Sequence, residues 1–544
     1  MNGRNGRAVP RPRIGTRWRG WRTWVMWGAA CVLVAGIKAF AAINVPLVLT
    51  GDSVEYAVNA IVVHDTGSCA HFNAWRMPGY SILLAALMRF GTLSTMVAAL
   101  HATAGLATAC LAGLVARRAI PGTSFAGPLV LLLVGLDPVG LMYERMLLTE
   151  TICGFAFIFS VWLAVGAGSH PRWSGAAWRL ALCGLVLALA TLIRANVQVF
   201  AALVPSIAAA AWFLANRRAQ SGPWAGRRAF ARAALLALVA GGVVAACLVP
   251  RVLHIRRTDG QYTLAIGGDF TRMLGLADAG LIDLDNPAIF TQEQHRAVVE
   301  RAAQPFFGGY ELLEVLNTRS LLAHRFADLS PWAAANARAA VVVDHTVRKH
   351  RKETTRLRWR AFANLLGLRV RIAAAFKENV WWFRAFAVRA PGSDPGPPTT
   401  WWNDPETFTH LERSRVAELA VRTRRPMEAW RQSDAASIFD WWFRTARNAR
   451  PYLAVGWILG VAALIARRRW PTALLLATPL VHHAVIAFHL FSGIDRYAVP
   501  FYPAACVASV AGCWVAGEAF VERLRTSRLN RRPMCPLSPP KSDP

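Results

Sequence analysis

The chain has 544 residues, 55% of them hydrophobic, with 61 Lys and Arg against 31 Asp and Glu and a net charge of +30. Soluble globular proteins average about 45–50% apolar residues, so this composition excludes an ordinary soluble enzyme and points to a polytopic membrane protein. The positive charge is spread over alternate loops, which excludes a nucleic-acid patch, and nine cysteines without CxxC or Cys/His spacing exclude a disulfide framework and a zinc ribbon.

Residues 1–23 form a basic arm. Apolar runs of about 18 residues or more mark membrane spans, and about ten follow: 24–43, 94–116, 124–142, 146–168, 177–193, 196–215, 233–253, 451–466, 471–490 and 500–519. The first could instead be a secretory signal, with its Arg-rich start and small residues near Ala39 to Ala42, but the many later spans favour an anchor. With the N-terminus inside, the inner segments carry 25 basic residues against Glu518, Glu522 and Asp543. That is the positive-inside rule at every alternate loop, and no nucleic-acid partner is needed.

Residues 254–449 are the one long hydrophilic interruption, with 28 basic and 21 acidic residues, and the parity of the spans puts them outside. The pattern from Leu357 to Phe376 predicts helix, and Pro391 to Pro398 predicts a dividing loop. The expected fold is an all-α polytopic membrane protein of the plasma (inner) membrane, with interfacial helices. Its parts are a basic cytoplasmic N-terminus (1–23), a transmembrane module (24–253) with a first external loop (44–92), a mostly helical external, periplasmic domain (254–449), C-terminal spans (450–520) and a cytoplasmic tail (521–544).

Outside 254–449 only ten carboxylates remain, and seven of them (Asp52, Glu55, Asp65, Asp137, Glu144, Glu150 and Asp495) fall at the outer ends of spans. Arg76, Arg145, Arg194, Arg251 and Arg496 join them there. Ionisable groups at such depth are expensive and tend to be functional, although each could also snorkel or cap a helix. In the first external loop, a helix from Val54 puts Asp52, Glu55, Tyr56 and Asn59 on one face and Val54, Val58, Ile61 and Val62 on the other. That pattern fits an amphipathic helix on the membrane surface, its polar face towards a water-filled site. Equally, Asp52 could be an N-cap with Glu55 at N3. Lys38 in the first span is expected to snorkel. Asp283-Leu284-Asp285 is a DxD tripeptide without a Gly-rich nucleotide fold, and neither His64/His71 nor His482/His483/His489 has the spacing of a known metal site.

Several stretches in order resemble the GT-C superfamily of polyprenyl-phosphate-dependent glycosyltransferases, in particular the glycosyltransferase family 39-like group of protein O-mannosyltransferases and lipid A aminoarabinose transferase. They are GDSVEY at 51–56, RMPGY at 76–80, YERMLLTE at 143–150, Leu192-Ile193-Arg194, and Asp495-Arg496-Tyr497 with Pro500 and Pro503. Met77 and Ser81 stand where the family often has proline, and Ser53 where some members have Glu. The 254–449 region matches no part of it.

The resemblance implies a multi-span module that takes a sugar from a polyprenyl-phosphate donor to a hydroxyl on a glycan, lipid or protein acceptor, at a site facing the exterior among membrane lipids. A hydroxyl nucleophile needs a carboxylate base, and Asp52 stands where the resemblance puts it. Arg76, then Arg194 and Arg496, are the candidates for the donor phosphate, because the guanidinium fork binds phosphate bidentately; helix-end contact with headgroups is the alternative for each. Glu150 could bind the acceptor or a divalent cation, or simply favour a helix N-terminus. Glu55, Tyr56 and Tyr497 would shape the pocket, with core packing the other option for the tyrosines. No metal site is expected with certainty. The main rival is a transporter or flippase of lipid-linked sugars, which calls for paired broken helices and charges near mid-membrane.

Overall fold

A computed structural model describes residues 15–45, 47, 51–69, 72, 76–217, 224–282, 286, 289–293, 322, 329–367, 433–491 and 497–530. Among them there is no strand. Nine helical stretches are long and apolar enough to cross a membrane. They are α1 (Gly15–Asn44), α4 (Leu93–Ala119), α7 (Glu150–Gly168), α8 (Trp173–Ile193), α9 (Gln198–Asn216) with the turn before it, α10 (Ala225–Asp259), α14 (Asp434–Ala466), α15 (Trp470–Leu490) and α16 (Tyr502–Asn530). Shorter helices join them outside the spans: α2 (Gly51–Thr66), α3 (Gly79–Leu87), α11 (Gly268–Asp278), α12 (Pro331–Lys349) and α13 (Arg351–Leu365).

The span expected as one run over 124–142 is broken. Its halves α5 (Ala126–Gly135) and α6 (Pro138–Glu144) meet at 54°. Asp137 starts the second half by accepting the Gly140 N–H at 2.8 Å, and Pro138, which has no N–H, cannot continue the first. Hydropathy alone sees only that both halves are apolar.

The two ends of the bundle differ in chemistry. At one end the arginine loops meet: Arg118 donates to Trp162 O at 3.1 Å, Arg469 to Arg118 O at 3.4 Å, and Arg467 pairs with Glu518 at 3.2 Å. Asp52, Glu55, Asp137, Glu144 and Glu150 all lie towards the opposite end. Small residues let the spans close on one another. A Cβ on Gly460 of α14 would stand 1.8 Å from Ala508 O of α16, so only glycine permits that approach.

Beyond the acid-bearing end, α11 and α12 share a small core of Phe270, Met273, Leu276, Ala339, Val342 and Val343, closed by Phe491 from the end of α15. Helix α13 leans on the same end of α15, with Ala361 and Leu365 against Ile486 and Ala487. Asp283, Asp285 and the expected loop 391–398 lie outside the described residues.

Two local expectations are corrected. Lys38 does not reach an interface; it is 4% exposed and ion-paired with Glu144 inside the bundle. The pair forms because α6 brings an acid to the same depth, where pairing is cheaper than leaving either charge alone. Nor does α2 lie on a surface with its polar side wet. Val58 and Ile61 are buried on one side and Glu55, Tyr56 and Asn59 on the other, because Arg76 and the start of α3 at Tyr80 pack over the polar face.

Candidate functional site

Helix α2 starts at Gly51, so Asp52 and Glu55 fall one turn apart on the same side. Arg76, in the turn that leads into α3, reaches across to both. Its Nη2 donates to Asp52 Oδ1 at 2.5 Å and its Nε to Glu55 Oε2 at 2.5 Å, while its guanidinium carbon stands 5.5 Å from the centre of the Tyr56 ring. The turn itself is fixed from below. Arg251 of α10 donates to Arg76 O at 3.1 Å, and a Cβ on Gly79 would come within 2.7 Å of Leu192 O at the end of α8. The Gly-Tyr of the motif is therefore a close backbone approach to α8.

A second acid–arginine pair stands at the same end. Glu150 opens α7 and Arg194 closes α8; Arg194 Nη1 meets Glu150 Oε1 at 2.7 Å and Thr149 Oγ1 at 3.3 Å. The ring of Tyr497 lies 4.8 Å from the Arg194 guanidinium, which supports a cation–π contact. Tyr56 joins the two pairs, since its phenol is within electrostatic reach of Arg76, Asp52, Arg194 and Glu150. Of the residues expected from the sequence, Asp52, Glu55, Tyr56 and Arg76 thus form one group, and Glu150, Arg194 and Tyr497 a second beside it. Arg496, with its neighbour Asp495, lies outside the described residues.

Burial sets the electrostatics of this acid–arginine set. It raises the Glu55 carboxyl above its ordinary 4.5, with Arg76 pulling the other way, and it pushes the Tyr56 phenol up to about 12. Burial disfavours the Arg76 charge as well, but Asp52 and Glu55 more than offset that and hold the guanidinium firmly protonated. Glu55 keeps one oxygen, Oε1, buried and without a hydrogen-bond partner among the described residues.

Behind the site stand groups whose contacts the sequence did not show, His101 and Arg450 among them not singled out there at all. The Tyr80 ring meets Tyr56 edge-on at 5.0 Å, and its hydroxyl lies 3.0 Å from His101 Nε2. His101 Nδ1 lies 3.2 Å from Glu144 O, so the tautomer that fits carries its proton on Nδ1, donates it to that carbonyl and accepts from Tyr80. A lone histidine in an apolar span is the only signal the sequence offers for it. Arg145 donates to Val45 O at 2.7 Å, and Asp137 lies 3.6 Å from Arg450 of α14. Between these groups is a cavity of about 50 Å³ lined by Asp137, Glu144, Glu150, Thr108, Tyr143 and Tyr502, room for a few waters.

Among the described residues no three His, Cys, Asp or Glu side chains come together as a metal ion would need. Asp52, Glu55 and Glu150 are each engaged by an arginine instead. His64 pairs with Asp65 at 2.9 Å on an exposed stretch, and His71 lies outside the described residues. His482 and His483 are buried among aromatic rings of Phe200, Phe501 and Trp457.

No protein-family model matches the chain, and no curated protein does so by sequence. Solved structures do. One is the oligosaccharyltransferase of Archaeoglobus fulgidus in its apo form, 13% identical, with a TM-score of 0.43 over 92% of this chain and 52% of that one. Another is the oligosaccharyltransferase AglB of the same archaeon in complex with an inhibitory peptide and a dolichol-phosphate, 13% identical with a TM-score of 0.42, covering 92% of this chain and 51% of that one. ArnT from Cupriavidus metallidurans bound to undecaprenyl phosphate is 14% identical with a TM-score of 0.33, over 88% of this chain and 77% of that one. The chain spans about half the length of the oligosaccharyltransferase structures it matches.

Proposed function

We propose that the protein is a membrane glycosyltransferase that moves a sugar from a polyprenyl-phosphate donor to a hydroxyl acceptor on the outer face of the plasma membrane, with inversion at the anomeric carbon. The observation that carries this is Arg76 bridging Asp52 and Glu55 at the end of the bundle away from the arginine loops. It brings together a carboxylate able to serve as a base and a guanidinium able to bind phosphate, in the motifs that resemble the family 39-like enzymes. A donor on the outer face has to arrive on a lipid, since nucleotide sugars are not supplied there, and a bundle of spans can shelter a polyprenyl tail.

Asp52 takes the proton from the acceptor hydroxyl as that oxygen attacks the anomeric carbon. The bond from that carbon to the phosphate oxygen breaks, and polyprenyl phosphate leaves with an added negative charge. Arg76 and Arg194 stabilise that charge, Arg496 being a third candidate, and stabilisation aimed at developing charge is the largest contribution such a site can make. Arg76 also holds the Asp52 carboxylate in position. Glu150 orients Arg194 and meets the acceptor, while Tyr56, Tyr497 and Glu55 shape the pocket.

One observation favours the transporter reading: a broken span with Asp137 at the break and an arginine partner from α14. That reading, however, calls for paired broken helices, and no second broken span occurs among the described residues. The deciding experiment supplies membranes carrying the wild type or Asp52→Asn with a labelled polyprenyl-phosphate sugar. Label in a non-polyprenyl product with wild type and its loss in Asp52→Asn, at equal expression and donor binding, is the expected result. Equal transfer by both would remove Asp52 from the chemistry, and label that only changes leaflet would replace the enzyme with a flippase.

A further inference from the structure

Residues 348–360 contain seven Lys or Arg and a single acid, Glu353. The positive-inside rule acts on short loops and does not place a cluster in so long a stretch between spans. The cluster belongs to the end of α12 and to α13, which stand at the acid-bearing end against the last turns of α15.

Helix α13 has two distinct sides. Thr354, Ala361 and Leu365 are buried and share one face. Lys352, Arg356, Trp359 and Arg360 share the opposite face at helical spacing, and all four are exposed, Trp359 at 58%. Three cations four residues apart repel one another and work against the helix unless something negative lies alongside.

The depth of this stripe follows from its packing. The ring of Trp359 meets Phe488 edge-on at 4.9 Å, and Arg358 lies over Phe491 at 4.7 Å. Phe488 is about 27 Å along α15 from Trp470 at the inner end, close to the thickness of about 30 Å of a bilayer's hydrocarbon core. Trp359 therefore sits at the outer boundary of the membrane, where tryptophan is favoured, with Arg356 and Arg360 within one turn of it.

We infer that the exposed face of α13 is a docking surface for anionic phospholipid headgroups of the outer leaflet, with Lys352, Arg356 and Arg360 on the phosphates and Trp359 at the glycerol level. A soluble polyanion would use the cations but has no use for an exposed tryptophan at that depth. The inference does not depend on the glycosyltransferase reading.

The test uses the full-length protein in a neutral detergent, with retained lipid counted by native mass spectrometry during titration with phosphatidylglycerol or phosphatidylcholine. Wild type is expected to prefer phosphatidylglycerol. The triple variant K352Q/R356Q/R360Q is expected to lose about fivefold in that preference for each charge removed, the equivalent of about 1 kcal/mol, whereas the charge-keeping K352R/R356K/R360K stays within twofold of wild type (about 0.4 kcal/mol at most). Trp359→Ser is expected to weaken retention of both lipids alike. Undiminished preference in the triple Gln variant overturns the proposal, as does unchanged retention in Trp359→Ser. If heparin, used as a soluble polyanion, distinguishes wild type from the Gln variant while phosphatidylglycerol does not, the partner is a polyanion in solution and the lipid surface is rejected.

Discussion

At the scale of single residues, the guanidinium of Arg76 organises the site, because it holds two acids that would otherwise repel one another at one helical turn. Arg76→Lys preserves the charge but not the fork, so it can serve Asp52 or Glu55 but not both. Transfer by Arg76→Lys is expected to fall about a hundredfold, the loss seen when one oriented donor is removed from a developing charge, with the initial rate of labelled product as the measurement. Glu55 gives a pH signature. Its carboxyl is raised above 4.5 by burial, so the folded state favours the protonated form. The stability it contributes is complete below its unfolded pKa and is lost as pH rises through the folded value. Glu55→Gln, which imitates the protonated form, should flatten that part of the profile; thermal unfolding followed between about pH 4 and pH 8 checks it. The motifs GDSVEY and RMPGY made Asp52, Glu55 and Arg76 legible in the sequence. Neither the bridge between the two acids nor the Tyr80–His101 support was, since spacing along a chain cannot show which side chain from a turn crosses to which helix.

At the scale of elements, the apolar middle of each span was legible, because about 18 apolar residues leave few other possibilities, but the helix ends were not: α14 starts at Asp434 rather than 451, and α10 at Ala225 rather than 233. What hydropathy could not show was the bend between α5 and α6, which depends on Asp137 as a cap and Pro138 as a break. It also hid the pairing of Lys38 with Glu144, because the two are 106 residues apart. Gly105 makes that pair possible: a Cβ there would lie 2.0 Å from Glu144 Oε1. Gly105→Ala should therefore displace the Glu144 carboxylate and destabilise the fold by about 1–3 kcal/mol, an overpacking cost, seen as a lower midpoint of thermal unfolding in detergent. Lys38→Met should cost more, about 3–5 kcal/mol, because it leaves a buried carboxylate without its partner. Replacing both Lys38 and Glu144 by apolar residues should recover most of that loss, and a double-mutant cycle measures it.

At the scale of the whole molecule, the uneven charge of the two ends makes a prediction about sidedness. Cys69 follows α2 at the acid-bearing end and is exposed. A membrane-impermeant maleimide applied to intact cells should label Cys69, and Cys69→Ser should remove that label; a cysteine placed at Arg172 or Arg468 should react only after the membrane is opened. Labelling in the reverse order would turn the molecule over and take the site away from the outer face. The pairing of Asp137 with Arg450 also bears on how the protein is made. Ribosomes add roughly 5–20 residues each second, so about 15–60 seconds separate the synthesis of the carboxylate from that of its guanidinium. Through that interval Asp137 stands in the bent span without Arg450, and the pair can form only once α14 has been made.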